Sequence, residues 1–197
     1  NQMAAVCVTS GPGATNAITG CLCAYMGSIP MILFSGQVRY PLTVRGQGLN
    51  LRTNGEQEYD ICKSVSGMTK FCEMVSDPMQ IRYMLEKACF LAKAGRPGPV
   101  WLDIPLDIQS AVVETDELKE FDATAEGYRE KPLFDETVIP LIIEKLRSAK
   151  RPVLYCGMGV RLSGGYEKFM ELVDLLGIPV TTGMTTLDCV PNDHPLY

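Results

Sequence analysis

A glycine-rich segment, residues 9–16 (Thr-Ser-Gly-Pro-Gly-Ala-Thr-Asn), has residue types that can hold a small polar molecule. Gly11 and Gly13 allow backbone angles that a side chain forbids, and Pro12 fixes the chain between them. A helix that begins here has unpaired N–H groups and the positive end of its dipole at the turn. These groups can bind an anionic or polar ligand. The alternative is a tight strand-to-helix connection that binds nothing.

This turn differs from two common nucleotide-binding signatures. No Gly-Lys-Ser/Thr follows it, and its glycines do not have the G-x-G-x-x-G spacing. An acidic residue at the distance of a ribose-binding group is also missing. These differences disfavour an NAD-dependent oxidoreductase, which is one alternative from the enzyme class.

The segments on either side of the turn predict how it is positioned. Apolar residues 4–8 indicate a strand, and their apolarity on both faces is typical of a central parallel strand. A helical pattern covers residues 14–26, and a second apolar run at 31–35 indicates the next strand. Strand, helix and strand in this order form a βαβ unit with a right-handed crossover. The turn then lies at the carboxyl end of a parallel strand, where open α/β sheets bind ligands.

A long polar segment, residues 38–57, follows the second predicted strand. It has no clear periodicity, and connections of this length are usually functional or mobile. Its three arginines, Arg39, Arg45 and Arg52, suit an anionic substrate such as a 2-keto acid. The alternative is a plain surface insertion.

The rest of the chain predicts one more half-domain and the beginning of another. Elements expected after the long segment are helices at 58–64 and 77–94 and strands at 70–75 and 99–103. Acidic residues dominate the segment from 113 to 130, which predicts an exposed linker. Beyond it we expect helices at 135–149 and 163–176 and strands at 152–156 and 178–182. The buried stripe of the helix at 135–149 is expected to be Val138, Leu141, Ile142 and Leu146.

Composition excludes several classes of function. The net charge of −5 argues against nucleic acid as the main partner. The sequence has no apolar run of the roughly 18 residues that a membrane-spanning helix needs, so no membrane association is expected. The eight cysteines include no C-x-x-C pair, and with one histidine no zinc-type cluster is expected. We expect reduced, buried thiols in a cytoplasmic protein.

Several segments in a fixed order carry a family resemblance. Residues 35–37 (Ser-Gly-Gln) follow the second strand, and residues 95–105 (Gly-Arg-Pro-Gly-Pro-Val-Trp-Leu-Asp-Ile-Pro) come about sixty residues later. With the turn at 9–16, they resemble the second half of the pyrimidine-binding domain of thiamine-diphosphate enzymes of the acetolactate synthase type. Residues 157–159 and 178–182 resemble the start of that family's central domain. The resemblance covers nearly the whole chain.

The resemblance implies a fold, a domain organisation and a chemistry. The expected fold is α/β, with parallel-sheet, Rossmann-like layers, flanking helices and two partial domains. The pyrimidine-binding part is expected at 1–112, an acidic linker at 113–131 and the central domain at 132–197. The implied reaction is the decarboxylation or carboligation of a 2-keto acid by a homodimer or homotetramer. The implied cofactors of the full-length enzyme are thiamine diphosphate with Mg²⁺, and FAD is a candidate.

The family's catalytic glutamate and its Mg²⁺ motif have no counterparts here, so we assign no catalytic or metal-binding residue. On this basis we expect the chain to be an inactive fragment of a longer enzyme. The residues that match cofactor-binding positions are Gly11, Pro12, Gly13, Asn16, Gln37, Gln57 and Arg96. The first four match the turn beside the pyrimidine ring, and Gln37 matches a glutamine after the next strand. Gln57 matches the glutamine of a Phe-Gln-Glu loop at the active-site mouth. Arg96 matches an arginine that contacts FAD in flavin-containing members.

The sequence departs from the family pattern around the substrate entrance. Glu56 replaces the phenylalanine of Phe-Gln-Glu, Arg39 replaces a proline, and Leu106 replaces a lysine of the substrate channel. The loop at 38–57 is also longer than is typical. These departures favour a relative with another acceptor substrate. The alternative from another class is a non-catalytic module that binds a nucleotide, FAD or a partner through the glycine turns at 11–13 and 157–159.

Overall fold

The computed structural model describes residues 2–130 and 133–197. The chain divides into two compact units, Asn1–Pro132 and Leu133–Tyr197. Each unit contains parallel strands with flanking helices, which confirms the α/β class. The domain limits expected from the sequence stay a prediction, and the one expected between residues 131 and 132 lies outside the described residues.

Unit 1 contains a four-stranded parallel sheet. Its strands are β1 (Ala4–Val8), β2 (Met31–Gln37), β3 (Phe71–Met74) and β4 (Pro99–Pro105). Their order across the sheet is β1-β2-β4-β3. Val8 lies opposite Ser35, and Ser35 lies opposite Asp103. The carboxyl ends of β1, β2 and β4 therefore meet at one edge of the sheet, called here the carboxyl edge.

Helices and short 3-10 turns connect these strands. The helices are α1 (Pro12–Asn16), α2 (Ile18–Gly27), α3 (Val44–Gln47), α4 (Ile61–Val65), α5 (Ile81–Lys93) and α6 (Leu106–Gln109). The 3-10 turns are Tyr40–Leu42, Ser66–Met68, Pro78–Gln80 and Thr115–Glu117. The Asp77 carboxylate accepts a hydrogen bond from the Met79 N–H at 3.0 Å, so this residue caps the turn that leads into α5.

Apolar side chains cover both faces of the sheet. Successive residues of a strand point to opposite faces, so Leu33 and Trp101 pack in one core with α2 and α4. Val100 and Leu102 pack in a second core, against α5. Trp101, Val100 and Leu102 are fully buried.

Two expectations for the start of the chain are wrong. The strand β1 lies at the end of the order rather than in its centre, and Ala4, Ala5 and Cys7 are exposed. The apolar pattern indicates that both faces of the strand can be buried, but it does not say whether the described residues cover them. The expected helix at 14–26 is divided at Ala17, whose N–H donates to Ala14 O at 3.0 Å.

The acidic segment expected to be an exposed linker packs against α5. The Phe121 ring meets the Tyr83 ring edge-on, with centroids 5.8 Å apart. Lys87 Nζ lies 2.7 Å from a Glu126 carboxylate oxygen. Two aromatic residues among the acidic ones, Phe121 and Tyr128, supply apolar contacts with α5 that the overall composition did not indicate.

Unit 2 contains a two-stranded parallel sheet. Its strands are β5 (Leu154–Cys156) and β6 (Val180–Thr182). Its helices are α7 (Val138–Ser148), α8 (Gly159–Leu162) and α9 (Tyr166–Leu176), and Met184–Thr186 is a 3-10 turn. Its core contains Val173, Val180 and Val190.

The buried stripe expected on α7 is wrong. Leu141 and Ile142 are each about half exposed, Val138 is exposed, and Leu146 is only partly buried. The small core of unit 2 is formed by α9, the two strands and the C-terminal segment, and it does not include α7. Helical periodicity identified the apolar face correctly, but it cannot say whether a partner covers that face.

The cysteines are free, but they are not uniformly buried. Cys7 and Cys23 are exposed, which contradicts the expectation for these two thiols. The buried thiols are Cys21, Cys62, Cys156 and Cys189. Within residues 2–130 and 133–197, no helix has the length and apolarity needed to cross a membrane.

Candidate functional site

The carboxyl edge of unit 1 brings together two of the predicted site regions. Gly11, in the turn after β1, has a φ of 51°. A Cβ atom at Gly11 would lie 2.1 Å from the Gln57 carbonyl oxygen. Gln57 itself has a φ of 58°, which is uncommon for a residue with a side chain. The long loop therefore lies directly against the glycine turn, and this contact requires glycine at position 11.

The outer face of the turn is accessible. Pro12 and Asn16 are exposed, whereas Gly11 and Ala14 are buried against the protein. The Thr15 hydroxyl donates to Pro12 O at 3.0 Å, which stabilises the short helix α1. This face of the turn can therefore be reached by a ligand.

Gln37 connects the end of β2 to two neighbouring segments. Its Nε2 donates to the Tyr59 carbonyl at 2.9 Å and to Asp103 Oδ2 at 3.0 Å. Its Oε1 accepts from the Val38 N–H at 3.0 Å. The side chain is buried, and these bonds hold the loop in place. Its contact with a cofactor stays a prediction.

A buried carboxylate that the sequence analysis missed lies behind Gln37. Asp103, at the carboxyl end of β4, is fully buried and accepts a 2.6 Å hydrogen bond from Ser35 Oγ. Trp101 Nε1 donates to the same Ser35 oxygen at 2.9 Å. Burial raises the pKa of Asp103 to about 6, although the hydrogen bonds from Ser35 and Gln37 oppose the shift. The available signal was an aspartate inside an otherwise apolar strand.

The loop after β2 is folded around a second carboxylate, Glu58. Glu58 Oε1 accepts from the Val44 N–H at 2.6 Å. Glu58 Oε2 accepts from the N–H groups of Asn54 at 2.7 Å and Gly55 at 3.1 Å. The available signal for Glu58 was its place as the last residue of the segment that matches Phe-Gln-Glu, but the backbone groups that it binds have no sequence signature.

The three loop arginines do not form one cationic site. Arg45 forms an ion pair with Asp60 at 3.5 Å, and Lys63 lies 3.4 Å from the same carboxylate. Neither oxygen of Asp60 accepts a hydrogen bond from the described residues. Arg39 and Arg52 are exposed. Arg45 therefore compensates the charge of a protein carboxylate, and only Arg39 and Arg52 remain as candidates for contact with an anionic substrate.

Arg96 lies away from this cluster. It precedes β4, at the amino edge of the sheet, and the strand from Pro99 to Asp103 alone extends about 13 Å toward the carboxyl edge. Its Nε donates to Ser28 Oγ at 2.7 Å. Ser28 ends α2 with a φ of 55°. The structure thus brings Gly11, Gln37 and Gln57 together and leaves Arg96 at the opposite edge.

Two family models match the chain. The N-terminal TPP binding domain of thiamine pyrophosphate enzymes matches residues 1–64. The central domain of thiamine pyrophosphate enzymes matches residues 139–197. The chain belongs to the thiamine pyrophosphate enzymes. This confirms the resemblance seen in the sequence and disfavours the alternative of a non-catalytic binding module.

Curated relatives among the thiamine pyrophosphate enzymes are named as acetolactate synthases. The large subunit from Corynebacterium glutamicum is 38% identical over 193 residues, which is 98% of this chain and 29% of the relative. The large subunit from Lactococcus lactis is 32% identical over 195 residues, which is 99% of this chain and 32% of the relative. Acetolactate synthase 1 of Zea mays is 37% identical, with 97% of this chain and 28% of the relative covered. The chain therefore spans less than one third of the length of these relatives.

The turn residues fit the cofactor of thiamine pyrophosphate enzymes. Pro12 and Asn16 are exposed and can contact an organic cofactor, and the Gln57 carbonyl lies against the inner side of Gly11. In contrast, the described residues contain no group of three histidine, cysteine or acidic side chains that could hold a metal ion. The described part of the chain therefore fits the organic cofactor and offers no cluster for its metal.

Proposed function

We propose that this chain forms part of a thiamine-diphosphate-dependent enzyme that decarboxylates a 2-keto acid and joins the product to a second carbonyl compound. The observation that carries the proposal is the contact between the Gly11 turn and Gln57 at the carboxyl edge. Similarity to acetolactate synthases over almost the whole chain supports the same reaction class.

In this proposal the turn lies beside the pyrimidine ring. Gly11, Pro12, Gly13 and Asn16 form the surface that the ring contacts. Gln57 is exposed next to the turn, where its amide can donate to the carboxylate or the carbonyl of a 2-keto acid. When bound, thiamine diphosphate supplies the carbanion chemistry, and the protein binds, orients and shields the reacting groups.

The metal, the flavin and the assembly expected from the sequence are part of the same proposal. Mg²⁺ would accompany the diphosphate and be held by groups other than those described here. Arg96 is the candidate contact for FAD. Its bond to Ser28 uses Nε, so the two terminal nitrogens can serve a second partner. A homodimer or homotetramer in the cytoplasm is the assembly that we propose.

Activity of the full-length enzyme tests this proposal. Pyruvate is supplied with thiamine diphosphate and Mg²⁺, and the decarboxylated or ligated products are measured. Gln57→Ala is expected to raise KM for pyruvate about tenfold, because it removes a hydrogen bond to a charged group. Gln109→Ala serves as the matched control, since among the described residues the Gln109 side chain donates to no group other than the Ile104 carbonyl of its own segment.

Two results would contradict the proposal. Absence of any turnover of 2-keto acids by the wild-type enzyme would exclude the reaction class. Equal KM values for Gln57→Ala and Gln109→Ala would exclude Gln57 from the substrate site.

A further inference from the structure

The carboxylate of Glu58 connects two distant parts of the long loop. One oxygen binds the N–H of Val44, at the start of α3. The other binds the N–H groups of Asn54 and Gly55, ten and eleven residues further along the chain. Three backbone donors in a loop with little regular structure are thereby satisfied by one charged acceptor. Such charge-assisted hydrogen bonds are stronger than those between neutral groups.

The residues on either side of Glu58 are fixed by different contacts. The carbonyl of Gln57 lies against Gly11, and the carbonyl of Tyr59 accepts from Gln37 Nε2 at 2.9 Å. Residues 57–59 are therefore attached at three points, namely to the glycine turn, to the loop and to the end of β2. The Glu58 carboxylate supplies the charged attachment to the loop. Without it, residues 53–55 would be joined to this segment by two neutral bonds, from the Glu58 N–H to Gly55 O at 3.2 Å and from Thr53 Oγ1 to Glu58 O at 3.5 Å.

The other contacts within the loop support this reading. Thr53 Oγ1 donates to Gly55 O at 3.1 Å, and Asn54 Nδ2 donates to Leu42 O at 2.9 Å. Both bonds are neutral and exposed. They shape the turn at residues 53–55, but they do not reach Gln57 or its φ of 58°.

We propose that Glu58 is a positioning residue that sets the place of Gln57 at the mouth of the active site. It acts through the loop and does not contact the substrate. The inference rests on the proposed function in one respect, since it assigns Gln57 to the substrate side of the turn. Its structural part, the attachment of residues 44, 54 and 55 by one carboxylate, stands independently of the reaction.

Two variants of the full-length enzyme test the proposal. Glu58→Gln keeps the shape and one acceptor oxygen, but it turns an N–H₂ group toward a backbone donor. Glu58→Ala removes both acceptors. Glu73→Gln is the matched control, because Glu73 on β3 is exposed and its carboxylate makes no hydrogen bond or ion pair with the described residues. Hydrogen exchange of residues 44, 54 and 55 is measured together with kcat and KM for pyruvate.

We expect amide exchange at these three positions to accelerate about tenfold or more in both Glu58 variants. We also expect KM to rise about tenfold, with kcat within about twofold of the wild-type value, because Gln57 is displaced while the cofactor turn is intact. Glu73→Gln should leave exchange and both kinetic constants unchanged.

The results that overturn the proposal separate it from the proposed function. Unchanged exchange in both Glu58 variants would show that the carboxylate does not hold the loop. Accelerated exchange with a fall in kcat and an unchanged KM would show a purely structural role. A wild-type enzyme without activity on 2-keto acids would instead exclude the proposed function, and the exchange data would still decide whether Glu58 holds the loop.

Discussion

The two edges of the sheet in unit 1 use polar residues in different ways. At the carboxyl edge, Asp103, Ser35 and Gln37 are buried and bonded to one another. At the amino edge, Arg96 and Lys70 bind the residues that end two helices, since Arg96 donates to Ser28 Oγ after α2 and Lys70 donates to the Ala94 carbonyl after α5. Arg96 is exposed, and Lys70 is only partly buried.

This difference indicates that the positions of side chains and loops are fixed more firmly at the carboxyl edge than at the amino edge. Burying a carboxylate is unfavourable unless it is hydrogen-bonded. At the carboxyl edge, hydrogen bonds from Ser35 and Gln37 compensate the burial of the Asp103 carboxylate. Gln37 also binds the loop that lies against Gly11. The amino edge contains no comparable network among the described residues. Both edges contain charged residues. The candidate site differs from the opposite edge because its buried polar groups hold a loop in place.

The largest expected effect of a single substitution is at the glycine turn of the carboxyl edge. Gly11→Ala places a Cβ atom 2.1 Å from the Gln57 carbonyl oxygen, at a φ of 51°. We expect a loss of about 3 kcal/mol in the free energy of unfolding, because both the strained backbone and the displaced loop are unfavourable. Urea unfolding of the full-length protein measures this loss.

Gly20→Ala is the matched control for this substitution. A Cβ atom at Gly20, on the exposed side of α2, meets no atom within 4 Å. It should stabilise the protein by about 0.5–1 kcal/mol, since alanine favours a helix interior. Similar losses from both substitutions would show that the Gly11 turn is no more constrained than an ordinary helix surface.

The second largest effect is expected in the pH dependence of stability, to which the buried Asp103 at the carboxyl edge contributes. The pKa of Asp103 is raised from 3.8 to about 6. The folded state therefore holds a proton that the unfolded state releases, and this stabilising contribution is full below pH 4 and is lost as the pH rises through 6. Asp103→Asn lacks this titration, so its stability relative to the wild-type protein should improve by about 2–3 kcal/mol from pH 4 to pH 7.

Urea unfolding of both proteins at several pH values measures this difference. Other carboxylates, such as Glu86 and Glu126, have lowered pKa values and respond in the opposite direction, but they are common to both proteins and cancel. A constant difference across this range would mean that Asp103 titrates normally.

The smallest effect is expected at the amino edge. Arg96→Ala removes one hydrogen bond to Ser28, so the free energy of unfolding should fall by only about 0.5–1 kcal/mol. The affinity of the full-length enzyme for thiamine diphosphate, measured by titration calorimetry, should stay within about twofold of the wild-type value, because the glycine turn lies at the opposite edge of the sheet. A large loss of that affinity would show that the amino edge also contributes to cofactor binding.

Much of the carboxyl edge was predictable from the sequence, because its elements are local. A strand, a glycine turn and a helix are consecutive in the chain, and the positions of Gly11 and Gln37 follow from that order. The proximity of Gln57 to Gly11 depends on a loop of twenty residues. The family resemblance assigned Gln57 to the active-site mouth, whereas hydrophobic periodicity gave no information about the position of this loop.

The features that were missed depend on contacts between distant residues. Glu58 ends the segment that matches Phe-Gln-Glu, but its role was not predicted, because the backbone groups that it binds leave no trace in residue types. Asp103 interacts with Ser35 across the sheet, and only the strand register reveals this pairing. The burial of α7 could not be predicted either, since a helical stripe indicates an apolar face and says nothing about what covers it.

The position of Trp101 makes the polar network observable without a label. It is the one tryptophan of the sequence, it is fully buried, and its indole N–H is bonded to the Ser35 hydroxyl that serves Asp103. Its fluorescence should therefore be shielded from soluble quenchers and should respond to the ionisation of Asp103. The emission of this single indole would then report, in the unmodified protein, the charge state of the carboxylate behind the candidate site.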